Sequence, residues 1–327
     1  MRVLVTGASS MIGRHTVSRL VARGDVVTTL QRHPSGLDGV SEVGGSITDR
    51  DTVSDACQGQ HAVIHLAAKV GVTGPWEAFE DTNVRGTTVV VDEAREAGVG
   101  AFIHVSSPSV AHAGGALIGE GAATADPTVT SGHYATSKAM AEVEALRATS
   151  AAMPIVAIRP HLVWGPGDTQ LIGRIVERAR AGRLAFVGPG TALIDTTWVD
   201  NAADALVAAV DRAAGLGGRA FVVSNGEPRT VHELVTRILA AAGIETTLRH
   251  VPIQIAMAGG SVAERIWERT GRDDDPPMTR FLAEQLSTAH WFDQRETRGA
   301  LGWEPVVTLD EGFRDLAAWF ASPAGRP

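Results

Sequence analysis

Eight residues near the amino terminus constrain the fold of this 327-residue chain more tightly than any other stretch: Thr6-Gly7-Ala8-Ser9-Ser10-Met11-Ile12-Gly13. A short β-rich run, residues 2–6, precedes them, and a helical pattern follows to about residue 23. Gly7 permits a tight turn, and Gly13 lets a helix pack closely on the strand it follows. Backbone N–H groups at the start of that helix then point outward with partial positive charge, which suits a pyrophosphate. The usual pattern has a third glycine between these two, and Ser10 stands in its place. A strand, a glycine turn and a helix in this order is the context in which such a loop holds a dinucleotide. Gly7, Ser9, Ser10, Met11, Ile12 and Gly13 therefore form the first candidate binding set.

The alternation continues downstream. Residues 26–31 read as a strand after the Gly24-Asp25 turn, and 62–66 form an apolar run ending in small residues. Residues 82–97 are helical and stop at Gly98; 101–106 is a strand, 134–149 a helix and 155–159 another strand. Apolar strands separated by helices indicate a parallel sheet covered on both faces. The expected class is a doubly wound α/β fold of Rossmann type. After Gly165-Pro166-Gly167 the rhythm loosens, although Ala220–Val223 reads as one more strand of the same sheet. The expected organisation is a dinucleotide-binding domain, 1–165 plus about 198–225. A smaller substrate-binding domain takes about 166–197 and 226–327. The charged run 272–275, followed by Pro276-Pro277, reads as a loop.

Composition narrows the partners. Hydrophobic content of 44% and charged content of 20% describe a globular chain with a substantial core. A formal net charge of −8 argues against nucleic-acid binding and against electrostatic attachment to anionic membranes. The single cysteine, Cys57, excludes an internal disulfide and a multi-cysteine metal site, and fits a reducing, cytoplasmic setting. The first apolar run breaks at Gly7, too early for a secretory signal, and no window reaches the roughly 18 apolar residues of a transmembrane helix. His61 and His65 are four apart but fall on a strand, where they need not converge, so no metal is expected.

Cofactor choice is set at the end of the second strand. A carboxylate there would bond the ribose 2′-OH of NAD, whereas an arginine accommodates the 2′-phosphate of NADP. The sequence reads Gln31-Arg32-His33. The planar fork of Arg32 can pair with a phosphate, so the expectation leans to NADP, with NAD as the other candidate.

Tyr134 is the only tyrosine, and Lys138 is one of only two lysines, in a chain with 29 basic residues. On a helix, residues four apart share a face. A phenol titrates near 10 and transfers protons poorly at neutral pH; a neighbouring ammonium is expected to lower it. Residues 102–105 end in Ser106-Ser107. Ligands bind beyond the C-terminal ends of parallel strands, where a serine, here Ser107, can share a substrate carbonyl oxygen with Tyr134.

These motifs resemble those of the extended short-chain dehydrogenases/reductases over nearly the whole chain. The resemblance rests on Thr6–Gly13, His65-Leu66-Ala67-Ala68, Asn83-Val84-Arg85-Gly86-Thr87, Ser106-Ser107, Tyr134-x-x-x-Lys138, Arg159-Pro160 with Gly165-Pro166-Gly167, and Trp198-Val199-Asp200. It implies Tyr134 as acid/base, Lys138 as its electrostatic partner and Ser107 as the polarising hydroxyl. It implies Leu66, Ala67, Ala68 and Asn83 near the cofactor, and Pro160 and Val163 near the nicotinamide. With Ser46, Ile47, Lys69 and Val105 these complete the expected cofactor-contacting set. It also suggests a homodimer packed through helices near 87–97 and 134–149.

The nucleotide-sugar branch of that family usually carries an arginine shortly before the Val-Asp pair, and here Ile194 occupies the position. Ser106-Ser107-Pro108-Ser109-Val110 and the stretch from Thr288 to Pro305 instead resemble 3-beta-hydroxysteroid dehydrogenases, sterol-4-carboxylate dehydrogenases and 2-alkyl-3-oxoalkanoate reductases. That resemblance implies a ketone/secondary alcohol couple on a bulky apolar small molecule. Trp76, Ser107, His161 and Trp164 are the expected substrate contacts. The apolar segment 251–260 is expected either to line that pocket or to face the core.

Overall fold

The computed structural model describes residues 1–71, 73–112, 114–270 and 280–325. Seven parallel strands form the main sheet, in the spatial order Ala220–Val223, Ile155–Pro160, Ala101–Val105, Ala62–His65, Arg2–Thr6, Val26–Gln31, Val40–Gly44. Alternate residues of each strand point to opposite faces. Val3, Val5, Ile64 and Ile103 pack under the helices Met11–Ala22 and Val199–Leu216. Leu4, Val63 and Phe102 face Arg50–Cys57 and Gly86–Glu96. Both faces are buried, which is why the strands read as unbroken apolar runs.

From Arg2–Thr6 the chain builds outward in one direction to Val40–Gly44, then crosses to Ala62–His65 on the other side. The strand order reverses between Arg2–Thr6 and Ala62–His65, and the crevice beyond their C-terminal ends is the place where folds of this kind bind ligands. The glycine loop leaves one of these strands and Leu66-Ala67-Ala68 leaves the other.

Ala220–Val223 does join the main sheet, beside Ile155–Pro160. The strand Val40–Gly44 was not foreseen. It is a half-exposed edge strand containing Ser41 and Glu42, so it lacks the apolar run that marks the buried strands. A second, four-stranded sheet orders Arg229–Thr230, Leu193–Ile194, His290–Phe292 and Leu117–Glu120. The segment 251–260 enters the helix Ile253–Thr270, whose Ala256 packs on Val187 and Ala283 while Ile255, Val262 and Ile266 are exposed. The charged run 272–275 with Pro276-Pro277 lies outside the described residues. No described helix is long and apolar enough to cross a membrane.

Among the described residues, one charged pair is fully interior. The Arg159 guanidinium makes a bidentate pair with Glu142 (Nε–Oε2 2.9 Å, Nη2–Oε1 2.5 Å) and donates through Nη1 to the Ala123 carbonyl at 2.7 Å. Removing one partner leaves a desolvated charge. Arg159→Met should therefore cost about 3–5 kcal/mol in chemical denaturation, and Glu142→Leu in the same chain should recover much of it. A single variant within about 1 kcal/mol of the parent would refute this.

Candidate active site

The crevice begins with a backbone contact. Gly7 has φ +72°, and a Cβ on it would sit 2.7 Å from the Ala67 nitrogen; one on Gly13 would sit 2.5 Å from the Gly7 carbonyl. No side chain fits either place, so loop, helix and the neighbouring strand end close on one another. Ser10 caps the helix Met11–Ala22: its Oγ accepts from Gly13 N at 3.1 Å and donates to Gly7 O at 2.9 Å. The missing glycine is thus replaced by an N-cap, and the first-turn N–H groups of Met11 and Ile12 have no intrahelical acceptor. These residues fit the pyrophosphate of a dinucleotide.

At the end of the second strand the buried Gln31 does not point outward. Its Oε1 accepts from Ser9 N at 3.0 Å and braces the glycine loop. Arg32 is exposed just beyond it. A second guanidinium, Arg14, which sequence reasoning passed over, donates to Ser9 O at 3.2 Å and to Ser35 O at 2.7 Å. It follows Gly13 directly, and that position was the signal available. Ser46 bonds Thr48 Oγ1 at 2.8 Å, and Ile47 packs against Gly86.

A buried polar chain links this corner to the helix of Tyr134. Ala67 N–H donates to Thr6 Oγ1 (3.1 Å), which donates to His65 Nδ1 (2.8 Å). His65 Nε2 lies 3.0 Å from Thr87 Oγ1, whose own proton goes to Asn83 O at 2.6 Å. Counting protons along the chain fixes His65 as the Nε2–H tautomer. Burial first, then the Lys138 charge, pushes His65 down to about 3, so it stays neutral. His61 bonds elsewhere, accepting from Arg2 N at 3.0 Å. Asn83 stands in a π-helical turn, Glu80–Arg85, a form that recurs at functional sites. Its amide accepts from Lys69 N (2.7 Å) and donates to Lys69 O (3.0 Å) and Ser137 Oγ (2.9 Å). Ser137 Oγ in turn donates to the Tyr134 carbonyl at 2.9 Å.

Tyr134 and Lys138 lie on the helix His133–Arg147, as their spacing required. Ser107 lies near enough to the Tyr134 phenol to act on its titration, and Lys138 Nζ donates to Val105 O at 2.7 Å. Ser107 caps the 3-10 turn Pro108–Ala111, with its Oγ 2.9 Å from Ser109 Oγ. Phenol, ammonium and hydroxyl therefore meet at the end of the strand Ala101–Val105. The electrostatics correct one expectation. Burial raises the phenol above its ordinary value and the neighbouring Ser107 only partly offsets it; Lys138 is not among the causes. Burial also pushes Lys138 down to about 8. Desolvation is the largest cause for both groups.

Pro160 ends its strand, and Val163 pairs with Thr197. Between them Leu162 has φ +41°, which among the described residues makes it the one non-glycine in the left-handed region. Its carbonyl accepts from Thr197 N at 3.3 Å, Thr197 Oγ1 donates to His161 O at 2.6 Å, and His161 N donates to Val223 O at 2.9 Å. The side chain is 38% exposed. Two expected substrate contacts are interior instead. His161 is buried, edge-on to Phe292 with ring centroids 5.0 Å apart, and held down to about 3 by burial. Trp164 packs between Trp198 and Phe313, with Nε1 donating to Thr196 Oγ1 at 2.9 Å. Trp76 is half-buried against His133, ring centroids 5.7 Å apart, beside Tyr134.

Residues 3–224 match the family described as the NAD dependent epimerase/dehydratase family. A 2-alkyl-3-oxoalkanoate reductase of Stenotrophomonas maltophilia is 39% identical over 97% of this chain and 99% of that protein. The chain belongs to the NAD dependent epimerase/dehydratase family. A ketoreductase of Stigmatella aurantiaca, acting by name on a farnesylated dihydroquinoline oxide, is 29% identical over 100% of this chain and 98% of its own length. Human sterol-4-alpha-carboxylate 3-dehydrogenase is 29% identical over 95% of this chain and 86% of the relative. Among solved structures, gox2253 superposes with TM-score 0.79 at 24% identity, covering 99% of both chains. MoeE5 with UDP-glucose and NAD superposes with TM-score 0.76 at 23% identity, covering 98% of this chain and 99% of that one. These two likenesses speak for the fold.

Within this epimerase/dehydratase-family scaffold, the backbone at residue 162 yields a direct prediction. A Cβ in the left-handed region costs about 1–2 kcal/mol. In ordinary backbone an alanine is more stable than a glycine by about 0.5–1 kcal/mol. At this position the order should invert, with Leu162→Gly melting above Leu162→Ala. Calorimetry of the two variants checks it, and the usual order would refute the strain.

Proposed function

We propose that the protein interconverts a ketone and a secondary alcohol on a bulky apolar substrate, 3-oxo acid or sterol-like, with NADP(H) as redox partner. The convergence of Tyr134, Lys138 and Ser107 at one strand end carries the reading. A bound nicotinamide supplies or accepts the hydride. In the reducing direction Tyr134 donates its proton to the substrate oxygen, and its raised pKa keeps it protonated at neutral pH. Ser107 holds the same oxygen, as a positioned donor does for developing negative charge. The Lys138 ammonium, fixed on Val105 O at the same strand end, would hold the hydroxyls of the nicotinamide ribose.

The named relatives act on oxo or hydroxy groups of apolar molecules, which supports this substrate class. Ile194 is buried in a hydrophobic cluster, which weighs against contact with a nucleotide diphosphate. Arg32, with Arg14 across the corner at Ser9 and Ser35, supports NADP. Arg32→Asp should lower the ratio of kcat/KM for NADPH over NADH at least about tenfold; an unchanged ratio would count against this assignment.

Tyr134→Phe should cut kcat for ketone reduction about 10²–10⁴-fold. Full activity in that variant, measured by nicotinamide absorbance with a panel of 3-oxo acids and ketosteroids, would remove Tyr134 from the chemistry. The pH profile follows from Lys138, which burial moves to about 8. The ammonium is present below that value and lost above it. For the free enzyme, kcat/KM for reduction should therefore decline as pH rises through about 8. A flat profile well into the alkaline range would contradict an ammonium role.

A further inference from the structure

Lys69 is the second of the two lysines, and the chemistry just described does not use it. It follows Ala68 at the end of the strand Ala62–His65, on the rim of the crevice. Among the described residues it forms no ion pair, in a chain where Asp and Glu number 37. The residue is half-buried, and its ammonium instead lies over the Phe79 ring, 5.1 Å from the centroid. That contact is weak enough to give way to a carboxylate.

The mount is rigid on both sides. The Lys69 N–H and carbonyl are both held by the Asn83 amide, at 2.7 and 3.0 Å. Asn83 also bonds Ser137 Oγ, which bonds the Tyr134 carbonyl. On the far side Phe79 and Trp76 both pack on His133, the residue before Tyr134, with ring centroids 6.0 and 5.7 Å apart. His133 Nδ1 lies 3.0 Å from Gly74 O, tying down the loop between. The Lys69 backbone and the start of the Tyr134 helix are thus fixed relative to each other through two separate routes.

In a 3-oxo acid a single carbon separates the ketone carbon from the carboxylate carbon. A ketone held at Tyr134 therefore carries its carboxylate a few bonds away, and Lys69 is the cation whose backbone is tied to the Tyr134 helix through Asn83 and Ser137. We propose that Lys69 docks the carboxylate of the substrate, so that the site selects 3-oxo acids and their 3-hydroxy counterparts over neutral ketones and alcohols. The inference rests on the ketone/alcohol reading and gives Lys69 a substrate role in place of the expected cofactor one.

The test uses a 2-alkyl-3-hydroxy acid and its methyl ester, each oxidised with NADP⁺ by the full-length enzyme, with Lys69→Gln and Lys69→Arg as variants. A charge-assisted hydrogen bond to a carboxylate corresponds to at least about tenfold in binding. Wild type should show a KM for the acid at least about tenfold below that for the ester; Lys69→Gln should abolish the preference, and Lys69→Arg should restore most of it. Thermal shifts induced by acid and ester should follow the same pattern without turnover. If no substrate is turned over yet the acid alone stabilises wild type and not Lys69→Gln, the docking role stands and the ketone/alcohol reading falls. If acid and ester are oxidised alike by wild type and by Lys69→Gln, the enzyme reading stands and the docking role is overturned. A rise in the NADP⁺ KM of Lys69→Gln with an intact acid preference also overturns it.

Discussion

The close approach of Gly7 to Ala67 is the constraint on which the rest of the structure depends. Two neighbouring parallel strands end together at the point where the sheet order reverses, and the loop leaving one presses its backbone against the other. Only a glycine with positive φ allows this, and the second close contact, at Gly13, seats the first helix. The crevice is therefore open to a ligand at its mouth but fixed at its base. The stiffness comes from the backbone, so it does not rely on any side chain adopting a particular rotamer.

From that base a buried polar chain carries position across the sheet. His65 bridges Thr6 and Thr87, and Asn83 passes the restraint on to Lys69 and Ser137. These groups are desolvated and satisfied, which makes the chain costly to break and hence rigid. The proposed acid/base thus inherits its position from the same strand that sets the glycine loop. A π-helical turn at Asn83 is the local irregularity that lets one amide reach three partners.

Legibility differed by the range of the interaction. The glycine loop, the buried strands and the four-residue spacing of Tyr134 and Lys138 are local patterns, and each predicted its element. The strand Val40–Gly44 carries no such pattern because it is a half-exposed edge. His161 and Trp164 sit in a motif expected to meet substrate, yet both turn inward against Phe292 and Phe313, residues more than a hundred positions away. Arg14 is unremarkable in sequence; it matters because Ser9 and Ser35 meet across the fold.

By itself the sequence determined the fold class and which side chains share one strand end, because sheet and helix periodicities are properties of a few consecutive residues. Only the tertiary structure decided their protonation and surroundings. Helical spacing puts Lys138 beside Tyr134, but the fold aims its ammonium at Val105 O, and burial raises the phenol that proximity alone would have lowered. The tertiary structure alone also placed Lys69 over Phe79 and forced Leu162 into a left-handed backbone. Desolvation and backbone strain depend on what distant segments pack around a residue, and no local pattern encodes that.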